Sequence, residues 1–385
     1  MIFCEKCFSN QAEIQGMIKT LNEQGTCPTC SSKKVYICNT ECVVQTKEDA
    51  EQAIARKDTL EGIKNIFKEI LSIYSLKEDL PLDYPKGQLE VLHSSLFYKW
   101  NIFNKNKITP VDVREIVLSL LPDKYNENPD LFDGLVGVKE LSPSLFDPEL
   151  MIITDNDWNQ FTETIKYENR FHSQQINLEN LNFFLSYFEE IIPAKVEFFR
   201  CRINNENKIF KESDLKAPPV GKATAGRLNA EGISRLYLCS EEETAISEIR
   251  ASRHDIVTIG KFRIKEKLRV LDLTNFDQIR LLSDFSYMEF LKYFLNMEGL
   301  KKISNELAKP VRGSDKAKDY LATQYISDFV KSIQGTGGTL YHGIKYRSTA
   351  SESGYNLMLF DDNKVELANQ ETKSINYVKY IYSQD

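Results

Sequence analysis

The stretch Val196-Glu-Phe-Phe-Arg-Cys-Arg-Ile203 marks the point at which the pattern of the chain changes. It is short and dense in β-branched and aromatic residues, as are the further runs that follow it, and such runs are typical of β-strands. These runs are Arg235–Cys239, Ile256–Ile264, Leu268–Leu273, Thr339–Tyr346 and Asn356–Phe360. Helical segments lie among them at Glu242–Ser252, Gln278–Asn296 and Lys316–Ile333. The sequence therefore predicts an α+β domain over residues 193–385.

Upstream of this point, residues 46–192 are predicted to form a mainly helical accessory domain. The clearest signal is Thr109-Pro110, an N-cap followed by proline at the first helical position. The predicted helices are Glu48–Leu76, one that begins at Pro110, Asp157–Phe171 and Leu178–Ile192. The stretch 126–148, rich in Pro, Asp and Asn, is predicted to be loop.

The first 45 residues contain most of the cysteines. Cys4-x-x-Cys7 and Cys27-x-x-Cys30 have the spacing of paired zinc knuckles, in which four thiolates complete a tetrahedral shell. We therefore predict a structural Zn²⁺ site in a small module, residues 1–45, that needs the metal to fold. Replacement or supplementation of one pair by Cys38 and Cys42 is an alternative, but we favour their being buried small apolar residues.

Composition limits the classes of protein to which the chain can belong. It has 385 residues, 42% of them hydrophobic, and a formal net charge of −7. The acidic balance argues against a protein built around a nucleic-acid backbone, and no apolar stretch reaches the roughly 20 residues of a membrane span. The N-terminus does not resemble a signal peptide. We expect a soluble, cytoplasmic protein with reduced thiols.

Several familiar sites are absent from the sequence. It has no Gly-x-x-x-x-Gly-Lys phosphate loop and no Gly-x-Ser-x-Gly nucleophile elbow. Its four histidines are scattered singly, which argues against a His-rich catalytic metal site.

A series of motifs remains in the C-terminal half, and their order is more specific than any one of them. They are Phe198-Phe-Arg-Cys-Arg202, Gly226-Arg-Leu-Asn229, Arg235-Leu-Tyr-Leu238, Glu243-Thr-Ala-Ile-Ser-Glu248, Asp319-Tyr-Leu-Ala-Thr-Gln324, Gly343-Ile-Lys-Tyr-Arg-Ser348 and Asn356-Leu-Met-Leu-Phe360. In this order they closely resemble the RES domain, a bacterial toxin domain, over residues 193–360.

The resemblance implies an ADP-ribosyltransferase-like fold that binds NAD and cleaves its nicotinamide–ribose bond. Members of the family release nicotinamide by hydrolysis or phosphorolysis, or transfer ADP-ribose to a protein, and many are toxins held in check by an antitoxin. We therefore expect an NAD glycohydrolase or phosphorylase acting as a toxin or anti-phage effector, with a protein ADP-ribosyltransferase as an alternative. The expected partners are NAD, an antitoxin or regulatory protein, and a second copy of the chain.

The resemblance also implies which residues form the site. The catalytic set is Arg200, Glu248 and Ser348, and the cofactor-binding set is Arg202, Arg227, Tyr237 and Tyr346. Tyr346-Arg-Ser348 departs from the Tyr-Pro-Ser of many relatives, which should loosen the turn that holds Ser348.

Cleavage of the nicotinamide–ribose bond requires the same residue types. Breaking the glycosidic bond develops positive charge on the ribose, which a carboxylate such as Glu248 can stabilise. Arginine suits a diphosphate because its planar fork donates two charge-assisted hydrogen bonds. We expect one of Arg200 and Arg202 to face the pocket and the other to be a surface charge. Tyr237 is placed to stack on the nicotinamide ring, and Ser348 to bond its carboxamide or a phosphate oxygen.

A second interpretation belongs to a different class of protein. It is a zinc-dependent nucleic-acid-binding or scaffold protein whose RES-like half is inactive. The acidic net charge disfavours it, although Lys6, Lys33 and Lys34 would give the knuckle a small basic face.

Overall fold

A computed structural model gives the fold. It describes residues 1–9, 11–40, 49–154, 157–204, 210–276, 285–309, 316–336, 338–351 and 354–376. The chain divides into two compact units, Met1–Met151 with Gln278–Glu298, and Ile152–Asp277 with Gly299–Asp385. The boundary predicted after residue 192 therefore falls inside the second unit, and the boundary predicted after residue 45 lies outside the described residues.

The first unit combines two small sheets with helices. Its strands are β1 (Ile2–Cys4), β2 (Gln24–Gly25), β3 (Val35–Asn39), β4 (Ser75–Leu76), β5 (Glu90–Val91) and β6 (Leu135–Gly137). Its helices include α1 (Ala12–Thr20), α2 (Asp49–Ser72), α3 (Leu92–Tyr98), α4 (Pro110–Leu120), α5 (Pro122–Glu127) and α6 (Pro129–Asp133). The sheets have the orders β1-β3-β2 and β4-β6-β5.

Sequence signals explain how this unit is built. Thr109 forms the predicted N-cap of α4 as part of a capping box, because Asp112 accepts a bond from the Thr109 backbone N–H at 2.7 Å. The cysteine-rich segment packs on the helical part through Phe8, whose ring stacks on that of Phe103 at 5.3 Å, and Phe103 stacks on Phe67. The first 40 residues therefore share a core with the helices and are not a separate body.

The second unit is built on one large sheet. Its strands are β7 (Glu189–Ile192), β8 (Glu197–Ile203), β9 (Leu236–Cys239), β10 (Ile256–Ile264), β11 (Leu268–Asp272), β12 (Gln334–Gly335), β13 (Gly338–Thr339), β14 (Gly343–Arg347), β15 (Tyr355–Leu359) and β16 (Val365–Ser374). Its helices are α7 (Trp158–Tyr167), α8 (Leu178–Ser186), α9 (Glu212–Leu215), α10 (Glu242–Glu248), the end of α11 (Tyr287–Ala308), α12 (Lys316–Asp319) and α13 (Leu321–Ser332).

The large sheet has the strand order β16-β10-β8-β9-β15-β14-β11-β7, in which only β11 and β14 are parallel among the described strands. Phe198, Leu236, Phe262 and Leu357 belong to one buried cluster on it. The pairing of its third and fourth strands is the least complete, because the described residues of β8 and β9 pair only at Phe199 and Cys239. The pairing therefore ends beside Arg200.

The α+β prediction for the C-terminal region is confirmed, with differences at particular elements. The predicted helix Leu178–Ile192 ends at Ser186, and its last residues form β7, which pairs with β11. Pairing with the sheet edge has outweighed the apparent helical period of this apolar stretch. The loop predicted at 126–148 contains α6 and β6. The predicted start of the helix at Gln278 lies outside the described residues.

A search of the described helices for membrane spans found none with both the length and the apolar character that crossing a bilayer requires.

Candidate functional site

Glu248 is the last residue of α10, and two side chains fix its carboxylate. Ser348 Oγ donates to Glu248 Oε1 at 2.7 Å, and Asn356 Nδ2 donates to the same oxygen at 2.6 Å. Glu248 Oε2 has no hydrogen-bond partner among the described residues. The carboxylate is therefore oriented through one oxygen, and the other is left for a ligand.

The two donors are themselves oriented. The Ala350 N–H donates to Ser348 Oγ at 3.1 Å, so the Ser348 hydroxyl proton is directed to Glu248. Cys239 Sγ donates to Asn356 Oδ1 at 3.2 Å, which leaves the amide nitrogen to face Glu248. Burial raises the pKa of the Cys239 thiol to about 12, and the thiol stays protonated and able to donate. The Ser348 hydroxyl is thus held by hydrogen bonds on both sides, with arginine at position 347 before it.

A cavity of about 260 Å³ lies against this carboxylate. Its lining includes Glu248, Asn356, Arg200, Tyr237 and Tyr346. These residues come from four strands and one helix, and α10 packs against β8 and β9 to bring its C-terminal acid to this point. Four of the seven residues predicted for the site, together with Asn356, therefore lie around one cavity, and Ser348 contacts its acid directly.

Arg200 supplies the positive charge of this cavity. Its Nη1 is buried and has no hydrogen-bond partner among the described residues. Burial, together with the neighbouring Arg202, lowers the pKa of the guanidinium to about 10, so it remains charged at neutral pH. An unpaired buried guanidinium nitrogen is costly unless a ligand satisfies it.

A second cavity of about 810 Å³ adjoins the first, and the two share Arg200, Cys201 and Tyr237. Arg202 also lines this larger cavity. The expectation that only one of the two arginines faces the pocket was wrong, because side chains two residues apart on a strand point to the same face. The size of the larger cavity is within the range of small-molecule sites, about 300–1,000 Å³.

Tyr237 lines both cavities, and its hydroxyl is held from behind. The hydroxyl donates to Asn229 Oδ1 at 2.7 Å and accepts from the Leu228 N–H at 3.1 Å. Gln324 Nε2 fixes the same turn by donating to the carbonyls of Gly226 and Asn229, both at 2.8 Å. The Gly-Arg-x-Asn motif and the Thr-Gln motif are therefore parts of one frame that positions the tyrosine ring.

Arg227 is placed differently from the other predicted residues. Its guanidinium donates to the carbonyls of Leu307 and Lys309 at 2.7 and 2.9 Å, at the end of α11. It also lies over the ring of Tyr346, 5.7 Å from the ring centre. Arg227 is absent from the lining of both cavities, and its contacts are those of a helix C-terminal cap behind the site.

The four predicted metal ligands come together in the first unit. The Sγ atoms of Cys4, Cys7, Cys27 and Cys30 lie within 4.8 Å of one another, and three of the Sγ–Sγ distances are 3.4 to 3.8 Å. Tetrahedral zinc with Zn–S bonds of about 2.3 Å requires sulfur atoms about 3.8 Å apart. The four thiols thus fit a metal ion, and their number and type are consistent with structural zinc.

The remaining N-terminal cysteines are outside this group. Cys38 is fully buried in β3, opposite Phe3, and burial raises the pKa of its thiol to about 12. It behaves as the buried apolar residue that we favoured. Cys42 lies outside the described residues.

Sequence reasoning missed two residues of the site. The motif that contains Asn356 predicts no role for it. A lone amide in an apolar strand is nevertheless a signal, because buried polar groups need partners. The sequence also predicts no role for Arg235, which is 5% exposed and lines the larger cavity.

The comparisons with known proteins agree with this region of the chain. Residues 199–380 match the family model described as RES domain. Neither the search of curated proteins nor the search of solved structures found a match. The matched segment contains every residue that lines the two cavities and is compatible with NAD-related activity in general. Residues 199–380 are therefore similar to the RES domain family.

Proposed function

We propose that the chain is an enzyme that cleaves the nicotinamide–ribose bond of NAD, with an ADP-ribosyltransferase-like catalytic domain. The observation that carries the proposal is that one cavity is lined by two complementary groups. They are the oriented carboxylate of Glu248 and the guanidinium of Arg200, which has no hydrogen-bond partner on its buried Nη1 among the described residues. The first suits a developing cation and the second suits a phosphate. The RES domain match supports the same chemistry.

In the proposed reaction the bond between ribose C1′ and the nicotinamide nitrogen breaks, and its electron pair leaves with nicotinamide, which departs neutral. The ribose becomes an oxocarbenium ion. Glu248 Oε2, the oxygen without a protein partner, stabilises this cation or holds a ribose hydroxyl. Water then adds to C1′ and loses a proton, or phosphate adds in its place.

Arg200 and Tyr237 bind the substrate in this scheme. Arg200 donates to a diphosphate oxygen, which satisfies its buried Nη1. Tyr237 offers a ring whose hydroxyl is already bonded to Asn229, so the ring is fixed before substrate arrives. Arg202 extends the positive surface along the same strand.

The test is release of nicotinamide by the purified full chain from NAD, with and without phosphate. ADP-ribose as the product indicates a hydrolase, ADP-ribose 1″-phosphate a phosphorylase, and labelled protein a transferase. Glu248→Gln should reduce the rate by about a hundredfold or more while NAD binding persists, because the amide oxygen can still accept from Ser348 and Asn356.

The matched control is Glu243→Gln, an exposed carboxylate on the same helix. Near-normal turnover by Glu248→Gln would remove the proposal. A bacterial toxin role adds a cellular expectation, namely that expression slows growth and that Glu248→Gln restores it.

We further propose that the four-cysteine site binds Zn²⁺ as a closed structural centre. Four thiolates leave no position open for a substrate, so the metal would stabilise the first unit without entering the reaction.

A further inference from the structure

Cationic side chains dominate the charged lining of the larger cavity. Arg200, Arg202, Arg235, Lys216 and Lys222 line it, against the single carboxylate of Asp214. Lys216 is paired with Glu212 at 3.1 Å and Arg235 with Asp328 at 3.7 Å, which leaves Arg200, Arg202 and Lys222 to face Asp214. A diphosphate of about two negative charges would balance this remaining charge, so a second anion must be argued from the individual nitrogen atoms.

Two of these cations have unpaired nitrogen atoms at a distance from the catalytic acid. Arg202 Nε and Arg235 Nε are buried and have no hydrogen-bond partner among the described residues. Arg235 keeps its other nitrogens occupied, because Nη1 donates to the Ser234 carbonyl at 2.9 Å and Nη2 lies 3.7 Å from Asp328. Two arginines that line one cavity thus each have a buried donor nitrogen without a partner, which favours an anion bound at a second position, apart from the diphosphate.

The position of this pair follows from the strands. Arg202 lies two residues beyond Arg200 on β8, about 7 Å farther along the strand, and it lines the larger cavity but not the smaller one that Glu248 lines. Arg235 immediately precedes β9, two residues before Tyr237, and β9 runs antiparallel to β8. Arg202 and Arg235 therefore lie at the same end of the gap between the strands, beyond Arg200.

We propose that Arg202 and Arg235 form a second phosphate subsite, which accepts a monophosphate on the adenosine ribose, so that the preferred substrate is the 2′-phosphorylated dinucleotide NADP. This inference rests on the proposed cleavage activity for the orientation of the ligand. A phosphate monoester adds a nearly dianionic group with three acceptor oxygens, the chemistry that unpaired guanidinium nitrogens recognise. Free inorganic phosphate is a dianion of the same chemistry, and the test below distinguishes it from the phosphate of a dinucleotide.

The experiment measures binding of two ligands that cannot be cleaved, adenosine 2′,5′-bisphosphate and adenosine 5′-monophosphate, to the full chain by calorimetry. We expect the bisphosphate to bind about ten- to a hundredfold more tightly. Arg202→Gln should reduce this ratio to near one, and Arg202→Lys should leave an intermediate ratio. Arg263→Gln is the matched control, because Arg263 is an exposed arginine on the adjacent strand paired with Glu197, and it should keep the wild-type ratio.

Equal affinity for the two ligands in the wild type would overturn the proposal, as would an Arg202→Gln variant that weakens both ligands alike. Binding of inorganic phosphate that depends on Arg202, without preference for the bisphosphate, would assign the subsite to free phosphate and also overturn it. Failure of the cleavage proposal gives a different result from failure of the subsite proposal. If only the cleavage proposal fails, the preference for the bisphosphate and its dependence on Arg202 remain, but neither NAD nor NADP releases nicotinamide.

Discussion

Asn356 is the residue whose replacement tests most directly how the carboxylate of Glu248 is held. Its Nδ2 donates to Glu248 Oε1 at 2.6 Å, and the residue is 4% exposed. A hydrogen bond to a charged group is worth about 1.5–3 kcal/mol. If that energy holds the carboxylate in its reactive orientation, Asn356→Ala should lower kcat/KM by about ten- to a hundredfold. Ser348 still donates to the same oxygen, so activity should fall without being abolished.

Asn356→Asp makes the test specific to charge. It keeps the shape of the side chain but places a second carboxyl group against Glu248, in a position where Nδ2 now donates. Two carboxylates in contact cannot both ionise readily, so one proton is retained to a higher pH. Since the proposed chemistry needs an ionised Glu248, the acid limb of the pH–rate profile should move to higher pH. A merely structural role for Asn356 would leave that limb where it is.

The assay is the initial rate of nicotinamide release across the acid and neutral range, with kcat and KM determined separately. Asn363→Asp, an exposed amide in the turn before β16, is the matched control and should leave the profile unchanged. An Asn356→Asp variant that keeps both the wild-type rate and the wild-type acid limb would refute the positioning role.

Two further predictions concern stability. Gly226→Ala would place a Cβ 2.5 Å from Asn229 Oδ1, and we expect the second unit to lose about 3 kcal/mol, measured by thermal or urea unfolding. Gly16→Ala is its control, because a Cβ there meets nothing within 4 Å and should be neutral or stabilising, so equal losses would contradict the steric argument. Cys27→Ser should abolish stoichiometric zinc and loosen the N-terminal segment, whereas Cys38→Ser should keep the zinc; equal metal content in both would refute the assigned ligands.

Local signals predicted the elements that depend on local interactions. The strand Ile256–Ile264 was predicted to the residue, because a long β-branched run has no competing interpretation. The helix at Pro110 follows from its cap. In contrast, β7 depends on pairing with β11, about 80 residues away along the chain, and its own residues are compatible with a helix. The division into two units joins segments that are distant in sequence, and no local pattern carries that information.

In the site, too, the sequence predicted residue types better than it predicted their geometry. The motifs predicted a set of site residues, and two of them, Glu248 and Ser348, are in direct contact. They did not reveal that Arg227 caps a helix, because an arginine that binds phosphate and one that binds carbonyl groups look alike in sequence. The two arginines of β8 were predicted incorrectly for a different reason, since the period of a strand alone places Arg200 and Arg202 on one side.

The arrangement around Glu248 explains why its supports are spread over such distant parts of the chain. Ser348 and Asn356 flank the turn between β14 and β15, so one hairpin delivers both donors to the same oxygen. The carboxylate of Glu248 lies on a separate element, the C-terminal end of α10. The guanidinium of Arg200 lies on β8, next to the residue at which the pairing of β8 with β9 ends. Closing that gap with further strand pairing would satisfy more of the backbone but would remove the space that a ligand needs. The incomplete pairing between β8 and β9 is therefore the feature of the sheet on which the proposed binding depends, and Arg200, Arg202 and Arg235 line the space beside it with unpaired nitrogen atoms.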